Sequence, residues 1–450
     1  MENTRLLENT RMERTLTIAP LVLFGISFMA LGTVFSTYGI AAQLTHGMVP
    51  AAYILALVTM LFTALSYGKM AQAYPISGSA YTYAQKAISP SVGFMVGWSI
   101  LVDYLFIPMV NYLVFASFMH AGFPSVPEYV WILLMLVIVT VINIRGIKLA
   151  ANVNLLINLI GILFIVIFCF LSIRHMMTNQ SVFHLFSLSP FYQQGTNFST
   201  IIAGASLLCF SFLGFDSVTT FAEEVKNPEK MLPRAVLIVT MVGGFIFILV
   251  SYLSQINYPD YASFPDPDSA AFVVIQYIGG DFLATFALVM ITTGTFGSAM
   301  VSNASVARLL YSMGRDGVLP RKMFSYLHPI WKTPIFNLLL VSLIGLLALF
   351  MTLGTAASLI NFGAFLAFSC VNISVILHFF VHKKERAGWS LFRNLLFPII
   401  GTVMDLYLLI SLDSYSIMLG IIWFCIGFIY LLVLTKCFRQ KPPQMEIDAA

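Results

Sequence analysis

Leu207 to Arg234 reads LLCFSFLGFDSVTTFAEEVKNPEKMLPR. An apolar run enters this stretch, stops in a patch holding two aromatics, Gly214 and Asp216, and resumes through Val218 and Phe221. It leaves on Glu223, Glu224, Lys226 and Pro228. A carboxylate at membrane depth is costly and normally faces a cavity or a partner, so an acid beside a glycine break is read by default as a functional site. Opening a helix at mid-membrane frees N–H and C=O groups that lipid cannot satisfy, which confines such a break to the lining of a protein cavity. Half-helix N-termini then favour anions, and C-terminal ends favour cations.

The composition puts the stretch at that depth. Of 450 residues, 59% are hydrophobic and 9% charged, against about one quarter charged in an ordinary soluble domain. Twelve apolar runs approach the roughly 20 residues of a spanning helix. They fall at about 17–43, 49–68, 91–118, 129–144, 151–173, 201–222, 235–256, 282–306, 335–352, 356–381, 394–411 and 416–436. The expectation is an all-α integral membrane protein of twelve spans, the unit at 17–437, between tails at 1–16 and 438–450. The first run is longer than the roughly 7–15 residues of a signal-peptide core and lacks a small-x-small cleavage site.

Basic residues set the orientation. With the N-terminus in the cytoplasm, 22 of the 23 Lys and Arg residues fall on the cytoplasmic side, Arg174 being the exception. The net charge of +4 is therefore a topology signal and no argument for nucleic acid, which needs a basic face on a soluble domain. The same orientation makes the acidic 257–281 segment, free of Lys and Arg, external.

Run one contains Ile26-Ser-Phe-Met-Ala-Leu-Gly-Thr-Val34, and run six contains Phe210-Ser-Phe-Leu-Gly-Phe-Asp-Ser-Val218. Ser27-Phe28 aligns with Ser211-Phe212, and Gly32 falls opposite Asp216. Five spans separate the two, so they cross in opposite directions, as an inverted repeat of five helices requires. Paired glycine-interrupted spans are the best sequence pointer to a transporter site. Gly25, Gly32 and Gly39 let span one bend and admit a ligand against its backbone, although close helix packing would explain any one of them. In span three, Gly93 and Gly97 form a packing pair. Asp103 follows within the span, with Tyr104 and Asn111 as possible polar partners, and a structural hydrogen bond there is as open a reading as a ligand contact.

Other constellations carry little. Cys169, Cys209, Cys370, Cys425 and Cys437 lie in apolar segments without paired spacing, and the seven histidines lack metal spacing. No cofactor or metal is implied. There is no G-x-x-x-x-G-K-[ST] for nucleotide-driven transport, and no H-E-x-x-H or G-x-S-x-G for a membrane enzyme. Glu223 and Glu224 could take a coupling proton, or pair with Lys226, Lys230 and Arg234. Nothing in the sequence speaks to oligomeric state.

Several motifs together resemble the amino acid, polyamine and organocation permeases. They are Tyr74-Pro75 with Gly78-Ser79 and Tyr81, Asn143-Ile-Arg-Gly-Ile-Lys148, and Gly214-Phe215 with Glu223-Glu224-Val-Lys-Asn-Pro228. Ser305-Val-Ala-Arg-Leu-Leu-Tyr-Ser-Met-Gly-Arg-Asp-Gly317 with Thr333-Pro334 completes the set. Ser66-Tyr-Gly-Lys69, Gly93-Phe-Met-Val-Gly-Trp98, Asp103-Tyr-Leu-Phe106 and Ile360-Asn-Phe-Gly363 look most like bacterial putrescine importers. The resemblance implies a five-plus-five inverted repeat with spans one and six broken, plus two C-terminal helices. Repeat one would cover about 17–173, repeat two about 201–381, and the added helices about 394–436. It further implies inner-membrane location with both termini cytoplasmic, and uptake of a polyamine such as putrescine by proton symport. Carried over residue by residue, it nominates Gly25, Ser27, Gly32, Tyr38, Tyr104, Phe212, Gly214 and Asp216 for substrate, with Asp103, Glu223 and Glu224 as coupling or gating groups. One departure stands out, since those importers carry an acid in span one where this chain has Ser36. An amino acid permease or exchanger is therefore the alternative. A non-transporting amine sensor is the reading from another class.

Overall fold

The computed structural model describes residues 16–75, 79–145, 151–179, 186–193, 197–222, 224–315, 319–331, 333–440 and 442. The described chain is helical. Helix α1 (Ile18–Met29) and α2 (Thr33–Leu44) form a bent pair at 45°. They are followed by α3 (Val49–Ala73), the short α4 (Ser79–Ala87), α5 (Pro90–Gly122), α6 (Glu128–Arg145), α7 (Ala151–Asn179) and α8 (Phe198–Leu208). After α8 the chain tightens into 3₁₀ turns at Cys209–Phe212 and Asp216–Phe221. Then come α9 (Pro228–Asn257), α10 (Ala270–Arg315), α11 (Ile335–Gly345), α12 (Leu353–Val375), α13 (Phe397–Ile410) and α14 (Ser414–Leu434).

Among the described residues, 10 helical stretches are long and apolar enough to cross a membrane, or up to 11 if the bent α1–α2 pair is one span. Ile335–Leu349 is apolar but shorter. Two local features lie between the long apolar runs. The segment expected to be an external loop at 257–281 turns helical at Ala270, and only Gly280, at φ +64, kinks it away from the rest of α10. The polar stretch after α3 closes into the amphipathic α4, whose Ala80, Tyr83 and Ala84 are buried.

Small residues let the bundle close. Gly68 of α3 lies against Pro233 of α9, so that a Cβ there would come within 3.0–3.1 Å of it, and Gly363 of α12 rests on the Ser99 carbonyl of α5. Trp98 of α5 and Trp423 of α14 stack at 5.0 Å, and each indole N–H donates to the other's backbone carbonyl at 3.0 Å. Where α1 begins, Leu16 forms a parallel bridge with Val225: its N–H donates to the Glu224 carbonyl and its own carbonyl accepts from Lys226 N–H, both at 3.0 Å.

Candidate functional site

Both breaks are real and they touch. Span one unwinds at Ala30 (φ 46), and span six at Gly214 (φ +109). A Cβ on Gly214 would lie 2.8–2.9 Å from the backbone of Phe28 and Met29. Only glycine combines that φ with so close an approach. The two interrupted spans therefore meet backbone to backbone, as the pairing of their sequence motifs predicts.

Freed polar groups at the breaks are taken up by neighbouring spans. Asn361 of α12 donates to the carbonyls of Ser206 and Leu207, at 2.8 and 3.0 Å, just where α8 gives way to 3₁₀ turns. Tyr53 of α3 sits between the breaks, its hydroxyl 3.1 Å from Ser211 Oγ and 3.5 Å from Thr37 Oγ1. Beyond Gly214, Thr219 donates to Ser79 at the start of α4, at 3.1 Å. Tyr67, Tyr83, Phe215 and Phe368 close edge to face around the same region.

Asp216 opens the second 3₁₀ turn, half-buried, with the backbone of Gly214 and Ser217 close to its carboxyl. Asp103 and Tyr104 of α5 are both within electrostatic reach of it. Asp103 Oδ1 is buried without a hydrogen-bond partner. Asn111, one of its possible partners, instead donates to the Ile107 carbonyl of its own helix at 3.0 Å. Tyr104 keeps 39% exposure. A Cβ on Gly32 would meet nothing within 4 Å, and Ser27 is half-buried one turn before the break. Asp103 and Tyr104 therefore lie close enough to Asp216, beside the junction of the breaks, to feel its charge.

The remaining nominated residues do other local work. Gly25 makes room for Val218 and Val239. Phe212 is fully buried and packs on Tyr53 and Phe247. Tyr38 is 2% exposed, donates to Gln255 Oε1 at 2.9 Å and meets Phe264 edge-on. Glu224 joins the bridge to Leu16 through its carbonyl. Glu223 lies outside the described residues. Sequence reading missed Tyr53 and Asn361. A lone Asn in an apolar run, inside a quoted motif, was the available signal for the latter.

At the far end of the α1–α2 pair, Gly39 backs onto Pro267 and Ala270. Here Asp266 accepts from Ser269 N–H and Oγ, at 3.1 and 2.8 Å. Burial, then the neighbouring Asp266 and Glu128, push the Asp268 carboxyl up to about 6.

Comparison with known proteins agrees with this geometry. The low-affinity putrescine importer PlaP of Escherichia coli (strain K12) is 42% identical over 436 residues, 97% of this chain and 96% of the relative. The methylthioribose transporter of Bacillus subtilis (strain 168) is 28% identical, covering 92% of both chains, and its branched-chain amino acid permease BcaP is 25% identical, covering 90% of both. The amino acid permease family matches residues 21–440. With two touching helix breaks, acidic residues beside them and a family match over nearly its whole length, the chain belongs to the amino acid permeases of the amino acid, polyamine and organocation superfamily.

Proposed function

We propose that this permease imports a polyamine such as putrescine across the cell's inner membrane by proton symport. The observation that carries the reading is Asp103, its Oδ1 buried without a hydrogen-bond partner, within electrostatic reach of Asp216 beside the breaks. A diamine carries two ammonium groups and wants two anionic acceptors, and ion pairing offsets part of the cost of taking each charge out of water. Asp103 and Asp216 supply two even though Ser36, buried at 4% exposure with its hydroxyl on the Thr33 carbonyl, contributes none. The 42% identity to a protein named a putrescine importer supports the same substrate class.

On this reading the scaffold has twelve spans: a five-plus-five inverted repeat at about 17–173 and 201–381, and two further helices at about 394–436. The tails at 1–16 and 438–450 are cytoplasmic. Gly32 and Gly214 bring substrate against backbone, Ser27 and Tyr104 contribute polar contacts, and Asp103 and Asp216 hold the ammonium groups. Gly25, Tyr38 and Phe212 shape the walls, and Glu223 and Glu224 act at the cytoplasmic gate. The second reading, an amino acid permease, is favoured by Ser36 and by the relative named a branched-chain amino acid permease.

Uptake into proteoliposomes of labelled putrescine, cadaverine, spermidine, lysine and a neutral amino acid, with and without an imposed pH gradient, decides between them. Putrescine should accumulate with the gradient and stop with a protonophore. Uptake confined to amino acids refutes the substrate, and uptake that survives protonophore but needs sodium refutes the driving ion.

A further inference from the structure

A second polar centre lies away from the acids at the breaks. Asp405, in the middle of α13, is completely buried. Its Oδ2 accepts from Thr63 Oγ1 of α3 at 3.0 Å and from Asn372 Nδ2 of α12 at 2.9 Å, and Asn372 Nδ2 also reaches Thr63 Oγ1 at 3.2 Å. Asn372 is held in place by Gly401, one turn before Asp405, where any Cβ would strike its amide. The site is built, because three spans each contribute one fixed, buried polar side chain.

It is also one hydrogen short. Asp405 Oδ1 and Asn372 Oδ1 are both acceptors, both buried, and neither has a partner. An ionised carboxylate held by neutral donors alone is costly in a water-poor interior. Something positive must complete the set: a proton, which turns one of these oxygens into a donor, or a metal cation, which takes their lone pairs. Thr63 Oγ1 and Asn372 Nδ2 aim their hydrogens at Asp405 Oδ2, which leaves only Asp405 Oδ1 and Asn372 Oδ1 with unpaired acceptor capacity. A metal ion needs several oxygen lone pairs facing it, and this arrangement favours the proton.

The centre adjoins the transport machinery. Tyr67 of α3 is within electrostatic reach of both Asp216 and Asp405, and Cys209, at the start of the break in span six, is in reach of Asp405. These are the titratable groups that face Asp405 from α3 and from the end of α8. On α12 (Leu353–Val375) the one titratable side chain is Cys370. Lys69 lies ~9 Å further along α3 than Thr63, and Arg393 ~18 Å before Asp405 along the segment leading into α13. No cation on those elements is placed to pair with Asp405. Ser206 of α8 also donates to the Leu408 carbonyl of α13 at 2.8 Å, which ties the helix carrying Asp405 to the end of α8.

We infer that Thr63, Asn372 and Asp405 form a proton-binding site separate from the substrate acids, with the proton carried on Asp405 Oδ1 and exchanged with solvent as the break in span six moves. The site's existence stands on the geometry above, and its role as a coupling site rests on the proposed proton symport.

Infrared spectroscopy of the purified, full-length protein in lipid tests it. The wild type should show a carboxylic acid C=O stretch that shifts in heavy water, is lost in Asp405→Asn, and is unchanged when choline replaces sodium. Thr63→Val removes one donor to the carbonyl oxygen, so it should move the band to higher frequency without abolishing it, which keeps the test alive if Asp405→Asn does not fold. Identical spectra for wild type and Asp405→Asn, as an ionised carboxylate held by water would give, overturn the inference. So does a band that vanishes on adding sodium, or one that Thr63→Val leaves in place. The proposed symport fails separately, if wild-type proteoliposomes accumulate amine with no change in internal pH.

Discussion

Replacing Asp216 with Asn keeps the shape of the side chain and removes its charge. An ammonium about 4 Å from a carboxylate gains ~4 kcal/mol at an effective dielectric constant of about 20, and truncating one member of a buried charge pair costs about 2–5 kcal/mol. At ~1.4 kcal/mol per factor of ten, the lower figure corresponds to roughly 30-fold weaker binding. Asp103 remains in Asp216→Asn, so a diamine keeps one of its two partners and the loss should sit near that lower figure. A neutral amino acid should lose less than about threefold. The competing account makes Asp216 a cap, since the backbone of Gly214 and Ser217 lies close to its carboxyl. Asn caps about as well as Asp, so a pure cap predicts little change for any ligand. Equilibrium binding of labelled putrescine and of a neutral amino acid to the purified variant, with thermal unfolding as a folding control, separates the two. A folded Asp216→Asn that binds putrescine with wild-type affinity refutes the charge-pair reasoning.

Three further outcomes are expected. Gly214→Ala forces a side chain into φ +109 and against the backbone of Phe28 and Met29; at about 1–3 kcal/mol of strain it should lower the melting temperature and cut uptake at least about tenfold, whereas Gly161→Ala, with open space at its Cβ, should do neither. An impermeant thiol reagent should label Ser263→Cys from outside intact cells on a cysteine-free background, and labelling only from inside refutes the orientation; the neighbouring Phe264 is 6% exposed and stacks on Tyr258, which makes it the poorer probe. Asp268 has its carboxyl raised from 3.8 to about 6, so the folded state binds its proton more tightly than the unfolded chain does. Its contribution to stability is fullest below pH ~4 and is lost as pH rises through ~6, by about 1–3 kcal/mol once partial exposure is allowed for. The fall in melting temperature over that window should shrink in Asp268→Asn, and an undiminished fall refutes the assignment.

What could be read in the sequence follows a physical line. The break in span six was legible because Gly214 and Asp216 interrupt an apolar run, where a bare carboxylate is costly unless it faces a cavity or a partner. The partner break was legible only through its match to span six, since Gly25, Gly32 and Gly39 each have a packing explanation, and Gly25 indeed packs on Val218 and Val239. Asp405 and Asn361 were passed over. Each is a single polar residue in an otherwise apolar run, and what gives it meaning comes from other spans: Thr63 and Asn372 for one, the carbonyls at the end of α8 for the other. Phe212 and Tyr38 show the converse. Motif position nominated them, while the neighbours each side chain meets, Tyr53, Phe247 and Gln255, depend on its direction from the helix, which a motif does not carry.

The bridge between Leu16 and the strand-like turn at Glu224 to Lys226 bears on how the protein is handled in the laboratory. Two backbone hydrogen bonds fasten the start of span one to the exit of span six, so under the proposed cytoplasmic gate a load applied at residue 16 would reach the turn at that gate. A rigid fusion or an affinity tag placed close to Leu16 acts as a splint there. One placed after Leu434, on a helix clasped to α5 by the two tryptophans, leaves that mouth untouched. On the proposed gate, reporters meant to leave turnover unperturbed belong at the C-terminal end, and a rigid N-terminal fusion should slow uptake more than a C-terminal one.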